Sequence, residues 1–231
     1  MCGRYSLICI DDLGNRFRVF DPMMGSRSRF NVSPASEMPV IVRSEANHIA
    51  VMRWGLIPSW TRDIRAAKPL INARAETLAD KPAFRLLLKT HRCLIPASGF
   101  FEWKKEGKKK CPYYIRVPDE PLLSFAGLFD TWHNPEGVTV STFTIITCPA
   151  NPLVAPLHDR MPVILSRHYE DRWLNRALLT PEDLKTILVP YPASCMEAIP
   201  VPDLVNNTAV DDERVVQPLG SFSGPQTQLP V

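Results

Sequence analysis

The residue in this chain with the least ordinary chemistry is a cysteine at position 2. Removal of Met1 exposes an α-amine and a thiol on adjacent carbons, and aminopeptidases remove an initiator methionine when the next side chain is as small as cysteine. An α-amine titrates near roughly 7.7–8.0 and a thiol near roughly 8.5, so each keeps a reactive fraction at neutral pH. By position alone Cys2 is a small apolar residue starting a strand. The case for chemistry therefore rests on what else the chain offers.

Glu102 sits among Phe100, Phe101 and Trp103, where partial burial raises a carboxyl toward proton-transfer duty; strand alternation alone would face it to water. His158 ends a proline-stiffened irregular loop (149–157) and is flanked by Asp159 and Arg160, a good setting for proton exchange or for a structural histidine. Asn72, Arg74 and Glu76 alternate, so an extended chain presents them on one face, whether as a site or as a solvated strand surface. The turn-rich stretch 27–34, with Asn31 and Pro34, is a surface loop or a site wall. Trp54 and Trp60 bracket Gly55 and Pro58 as core anchors or as stacking surfaces. Five lysines between 104 and 110 sit on a hairpin tip that either touches phosphates or keeps the protein in solution.

These residues need a scaffold, and the composition supports one. The chain has 231 residues, 45% of them hydrophobic, and 23 prolines, which favour many turns over long helices. A net charge of +3 demands no polyanionic partner. Six cysteines with no C-x-x-C pair and no zinc-like His/Cys spacing argue against structural metal. With no basic-then-apolar leader and no apolar run near ~18 residues, the chain reads as soluble, reducing and intracellular. Strands are expected at 5–9, 38–42, 48–53, 93–96, 99–103, 113–117, 122–132, 138–148, 161–165 and 198–201. Helices are expected after a cap at Asp11 or Asp12, with Leu13, Phe17 and Phe20 on one face, from about 80 to 90, after Ser166, and from the Thr180-Pro181-Glu182-Asp183 start. Gly, Ser, Gln and Pro beyond about 219 read as a disordered tail.

Four motifs in order carry a resemblance: Met1-Cys2-Gly3-Arg4, then Pro69-Leu70-Ile71-Asn72-Ala73-Arg74-Ala75-Glu76, then Gly99-Phe100-Phe101-Glu102-Trp103, then His158-Asp159-Arg160-Met161-Pro162. With Trp54-Gly55 and Asn31-x-x-Pro34, the chain resembles the SRAP family of abasic-site processing proteins from Cys2 to about Pro218. Ser33 stands where the family commonly has Ala. The resemblance implies a single α+β domain over 1–220, mainly antiparallel β-sheet in an open barrel-like arrangement with flanking helices and a DNA groove, and a tail at 221–231. It implies Cys2 as covalent nucleophile, Asn72 and Glu102 as active-site partners, and His158 as an acid/base group.

On that reading the partner is single-stranded DNA containing an abasic site. The protein is a cytoplasmic monomer, nucleoid-associated on DNA, without cofactor, metal or membrane contact. Arg4 and Arg74 suit phosphates because a fork of donors matches phosphate geometry. Trp54, Trp103, Asn31 and Pro34 complete the expected DNA-binding set. Two other classes fit the same residues: an N-terminal-nucleophile or self-processing cysteine peptidase, and a passive single-stranded DNA-binding module.

Overall fold

Alternating apolar and polar residues set the strands of the computed structural model, in which residues 2–8, 10–19, 27–175, 177 and 179–220 are described. The chain runs from β1 (Tyr5–Leu7) through α1 (Leu13–Phe17) to β2 (Arg29–Val32), then the hairpin β3 (Glu37–Arg43) and β4 (Asn47–Trp54). β5 (Asn72–Arg74) precedes two short helices, α2 (Pro82–Arg85) and α3 (Leu87–Thr90). β6 (Arg92–Ala97), β7 (Gly99–Glu106), β8 (Lys109–Arg116), β9 (Leu123–His133) and β10 (Thr139–Pro149) follow with short connections. β11 (Arg160–Pro162), β12 (Ile164–Leu165), α4 (Arg167–Leu174), α5 (Pro181–Ile187) and β13 (Glu197–Pro200) complete the order.

One sheet has the order β13-β8-β7-β1-β2 and is antiparallel throughout. The other runs β11-β10-β4-β3-β6-β9-β12, and β10 also pairs with β9. The five strands β10, β4, β3, β6 and β9 thus close into a ring, where an open barrel was expected. Closure follows from the eleven-residue length of β10. It is long enough to pair with β9 and then β11 along one edge and with β4 and then β5 along the other. Only the β10 pairings with β4 and β5 are parallel, so the single domain is mainly antiparallel α+β.

The N-terminal strand is anchored in this core. The Tyr5 ring lies 5.3 Å from Trp54 and 6.1 Å from Phe125, both in edge contacts. Fully burying such a side chain contributes roughly 1.5–3 kcal/mol, so β1 is fastened where a terminus would otherwise fray. β7 has two faces: Phe100 joins the main core, while Phe101 packs with Tyr114, Val201, Val205 and Val215, and Trp103 leans on that second cluster. By alternation Glu102 shares the face of Phe100. Gly99 allows β7 to close on β8, since a β-carbon there would lie 2.6 Å from the Tyr114 ring and 2.7 Å from the Ile115 carbonyl oxygen.

Several local expectations need correction. Asp12 precedes α1 but makes no side-chain cap, because it continues the 3-10 turn Ile10–Asp12 in helical conformation. Ser166 likewise makes no capping hydrogen bond to α4. The stretch 27–34 contains strand β2, and Glu76 falls in a 3-10 turn (Ala75–Thr77) beyond β5 instead of on its face. The helix expected from 80 to 90 is two pieces parted at Leu86. The α5 start is as read: Thr180 Oγ1 accepts from the Asp183 N–H (3.1 Å) and Asp183 Oδ2 accepts from the Thr180 N–H (2.8 Å). Cys9, Phe20 and the tail at 221–231 lie outside the described residues. No helix among the described residues is long and apolar enough to cross a membrane.

Candidate active site

The pairing of β1 with β7 builds the site. Tyr5 opposes Phe100, and the Phe101 N–H donates to the Arg4 carbonyl at 3.0 Å, so the two strands stay together up to the residue before Glu102. Cys2 is buried at the start of that run. Burial pushes its thiol well above the usual range, the nearby Glu102 carboxylate adds to this, and the Arg4 backbone N–H opposes it. Glu102 is only 3% exposed. Burial raises its carboxyl to about 7, and the Asp159 carboxylate acts in the same direction. The pair therefore holds a neutral thiol beside a carboxyl poised to exchange a proton near neutrality.

His158 arrives from the loop after β10, which Asn151 rigidifies. Asn151 Oδ1 accepts from the N–H groups of Leu153 (3.1 Å) and Val154 (3.0 Å), and its Nδ2 donates to the Tyr191 carbonyl at 2.7 Å. The His158 N–H donates to the Val154 carbonyl at 3.0 Å, closing the loop. Nδ1 of His158 accepts from the Arg160 backbone N–H at 2.9 Å, which requires a lone pair there and assigns the proton of the neutral ring to Nε2. Asp159 Oδ1 also approaches Nδ1 at 2.8 Å, from a side chain that is 82% exposed. Burial lowers the His158 pKa, favouring the neutral ring. Glu102, Trp103, Leu157, His158 and Asn206 line one cavity of about 530 Å³, together with two lysines of the hairpin tip.

Asn72 does not line this cavity. It lies on β5 opposite Ile145, and its Nδ2 donates to the Ile71 carbonyl (3.0 Å) that also accepts the Trp54 indole N–H (2.9 Å). Its Oδ1 is buried with no partner among the described residues, an acceptor left unused by them. Arg74, two residues on, is exposed. A link to His158 runs through Glu76 and Arg160, each named in the sequence but not as a pair. Arg160 donates to Glu76 from Nη1 (2.6 Å) and Nη2 (2.9 Å) and to the Thr147 carbonyl (2.6 Å). The only sequence signals were the position of Arg160 beside His158 and of Glu76 two residues beyond Arg74.

The other expected DNA contacts have separate fates. Arg4 Nη1 donates to Asn31 Oδ1 and to the Val205 carbonyl, both at 2.6 Å. Asn31 is buried, and its Nδ2 donates to the carbonyls of Val205, Asn207 and Val210, so it fastens β2 to the C-terminal turns. Pro34 is half-buried in the β2–β3 turn, just before Ala35 with φ of 72°. Trp54 is 1% exposed, stacked near Phe143 with centroids 6.4 Å apart, and has no face on which a base could rest. Trp103 is half-buried, and its indole N–H donates to Asn206 Oδ1 at 2.8 Å, leaving ring surface at the cavity wall. Five cysteines fall among the described residues and none is bridged. No cluster of metal-ligating side chains occurs among the described residues.

Comparison with known proteins agrees with this architecture. The model of the "SOS response associated peptidase (SRAP)" family matches residues 1–208. The chain is 40% identical over 222 residues to the abasic site processing protein YoqW of Bacillus subtilis, covering 94% of this chain and 99% of that one. It is 32% identical over 211 residues to the abasic site processing protein HMCES of Xenopus tropicalis, covering 78% of this chain and 62% of that one. A crystal structure of a Bacteroides thetaiotaomicron protein superimposes with a TM-score of 0.86 at 31% identity, over 94% of this chain and 99% of that one. The chain belongs to the SOS response associated peptidase family.

Proposed function

We propose that this protein processes abasic sites in single-stranded DNA by covalent capture through Cys2. The observation that carries the reading is the joining of a buried Cys2 with Glu102, raised to about 7, beside a cavity that His158 shares. The relatives named as abasic site processing proteins support the substrate.

An abasic deoxyribose opens to an aldehyde, and His158 exchanges the proton on the ring oxygen. The Cys2 amine, exposed once Met1 is gone, adds to the aldehyde carbon and the resulting carbinolamine loses water to give an imine. Glu102 takes and returns the protons at nitrogen. The thiol then adds across the C=N bond: a C–S bond forms, the S–H proton ends on nitrogen, and a five-membered thiazolidine closes. Burial keeps the thiol protonated, which favours the amine as the first attacker. Asn72 Oδ1 is an acceptor suited to holding a hydroxyl of the sugar or the intermediate, and exposed Arg74 suits a phosphate. Arg4, gripped by Asn31 and Val205, acts more through placing the β1 backbone than through a free fork.

Incubating protein lacking Met1 with abasic and intact oligonucleotides tests the reading. The expected result is a stable adduct that needs both the abasic site and Cys2. Salt-sensitive binding that ignores the abasic site would leave a passive binding module instead. The family description as a peptidase favours a second activity of the same centre, excision of Met1 by attack of Cys2 with Glu102 as base. Retention of Met1 in Glu102→Gln protein made without aminopeptidases, with loss in the parent, supports that; loss in both refutes it.

A further inference from the structure

The register of the lysine-rich tip between β7 and β8 sorts its five lysines. Lys105 opposes Lys110, Glu106 opposes Lys109, and the chain reverses at Gly107 with φ of 62°. Lys104 is already paired, its Nζ lying 2.8 Å from Glu106 Oε1. Lys105 and Lys110 line the cavity of about 530 Å³ that also holds Glu102 and His158. Both are exposed, and among the described residues neither carries a carboxylate partner. Like charges directly opposite on an antiparallel pair disfavour the fold, so this arrangement waits for an anion between them. The cavity they share with the acid/base groups decides which anion. A group held at Glu102 and His158 as a sugar has a phosphodiester one ester bond away.

We infer that Lys105 and Lys110 form a two-pronged clamp for the phosphodiester bonded to the abasic sugar, while Lys108 and Lys109 at the tip belong to the general field. This rests on the proposed reading of the site and adds a subsite that selects single-stranded DNA over a free sugar aldehyde.

The test compares the parent, Lys105→Gln/Lys110→Gln and Lys108→Gln/Lys109→Gln. Each is measured for capture rate on a single-stranded abasic oligonucleotide across a salt series, with either a native phosphodiester or a neutral methylphosphonate beside the abasic residue. With the native linkage the clamp variant is expected to lose about 10-fold or more in capture rate, and its log–log salt slope to fall by about 0.7, the value for one phosphate neutralised on a single strand. It should be indifferent to the neutral linkage, which slows the parent and the tip variant. Equal losses in both double variants, or a neutral linkage that slows all three alike, overturn the clamp. Equilibrium binding measured in a Cys2→Ala background separates this proposal from the capture reading. No adduct from the parent, with binding that still depends on Lys105, Lys110 and the charged linkage, sinks capture and keeps the clamp. Adduct formation with binding indifferent to the linkage does the reverse.

Discussion

Arg160 grips both carboxylate oxygens of Glu76 at 2.6 and 2.9 Å while its own backbone N–H donates to Nδ1 of His158, so one residue joins the turn after Asn72 to the loop that carries the proposed acid/base histidine. The hydrogen bonds from Arg160 hold the Glu76 carboxyl below its ordinary range. A depressed carboxyl contributes stability that is present above its unfolded value, roughly 4.3, and is lost as pH falls through the folded value. Glu76→Gln is therefore expected to lower the thermal midpoint at pH 7, with the gap to the parent closing only as pH falls below about 4.3 and through the lower folded value. Glu76 is half exposed, so the loss is modest, about 1 kcal/mol. The same variant should blunt the pH dependence of capture through His158 with little effect on DNA affinity. A stability gap that stays constant from pH 7 down through about pH 3 contradicts the pairing.

Glu102 gives a pH dependence of opposite sign. Its carboxyl is raised from 4.5 to about 7 by burial, so between those values the folded protein holds a proton that the unfolded chain does not. Stability contributed by this group consequently falls as pH rises from about 4.5 to 7 and levels off above. Glu102→Gln removes that loss and is expected to be more stable than the parent at pH 8, by about 1–3 kcal/mol, with the gap closing toward pH 4.5. Activity moves the other way: capture should slow by about 100-fold or more, and the inflection near pH 7 in its rate profile should vanish. Chemical denaturation at pH 5 and 8, beside single-turnover capture across the same range, reads both. A variant that is less stable at pH 8, or that keeps the inflection, removes Glu102 from the role.

The contrast between these residues and Asn31 shows what local sequence can carry. The β3–β4 hairpin was readable because its apolar positions alternate and its turn is polar, and Glu37–Arg53 through Arg43–Asn47 pair as one register. The burial of Glu102 was readable because three aromatic neighbours surround it in sequence. Asn31 was not, since the carbonyls that hold it belong to Val205, Asn207 and Val210, more than 170 residues away. Trp54 carried two readings, and only the closing of β10 on β4 buries it. Glu76 and Arg160 meet 84 residues apart across β5, β10 and β11, a contact that periodicity cannot express.

The two tryptophans should part company on mutation. Trp54→Ala removes a fully buried ring and leaves the Ile71 carbonyl without its indole donor, which costs about 3–5 kcal/mol and lowers yield and melting temperature together. Trp103→Ala leaves the main core intact and is expected to melt near the parent. Its ring surface at the cavity wall is available for a base, so affinity for single-stranded DNA should drop by about 1–3 kcal/mol. Thermal melts and fluorescence anisotropy on both variants separate the roles. A Trp103→Ala protein that binds normally removes stacking from the account.

Cys2→Ser separates the amine from the thiol. The substituted residue is small enough for Met1 to be removed, keeps the α-amine beside Glu102, and replaces the sulfur by a hydroxyl that closes the five-membered ring far less favourably. If the amine attacks first, as burial of the thiol favours, this variant still condenses with the aldehyde. It should then give an adduct trapped by borohydride at a rate near that of the parent, and none that survives without reductant. A thiol-first route predicts the opposite, with trapping lost along with the sulfur. Intact-mass measurement of the N-terminus on the same samples confirms that Met1 is absent, so a missing adduct cannot be charged to a blocked amine. Trapping lost in a variant with a free terminus would reverse the order of attack.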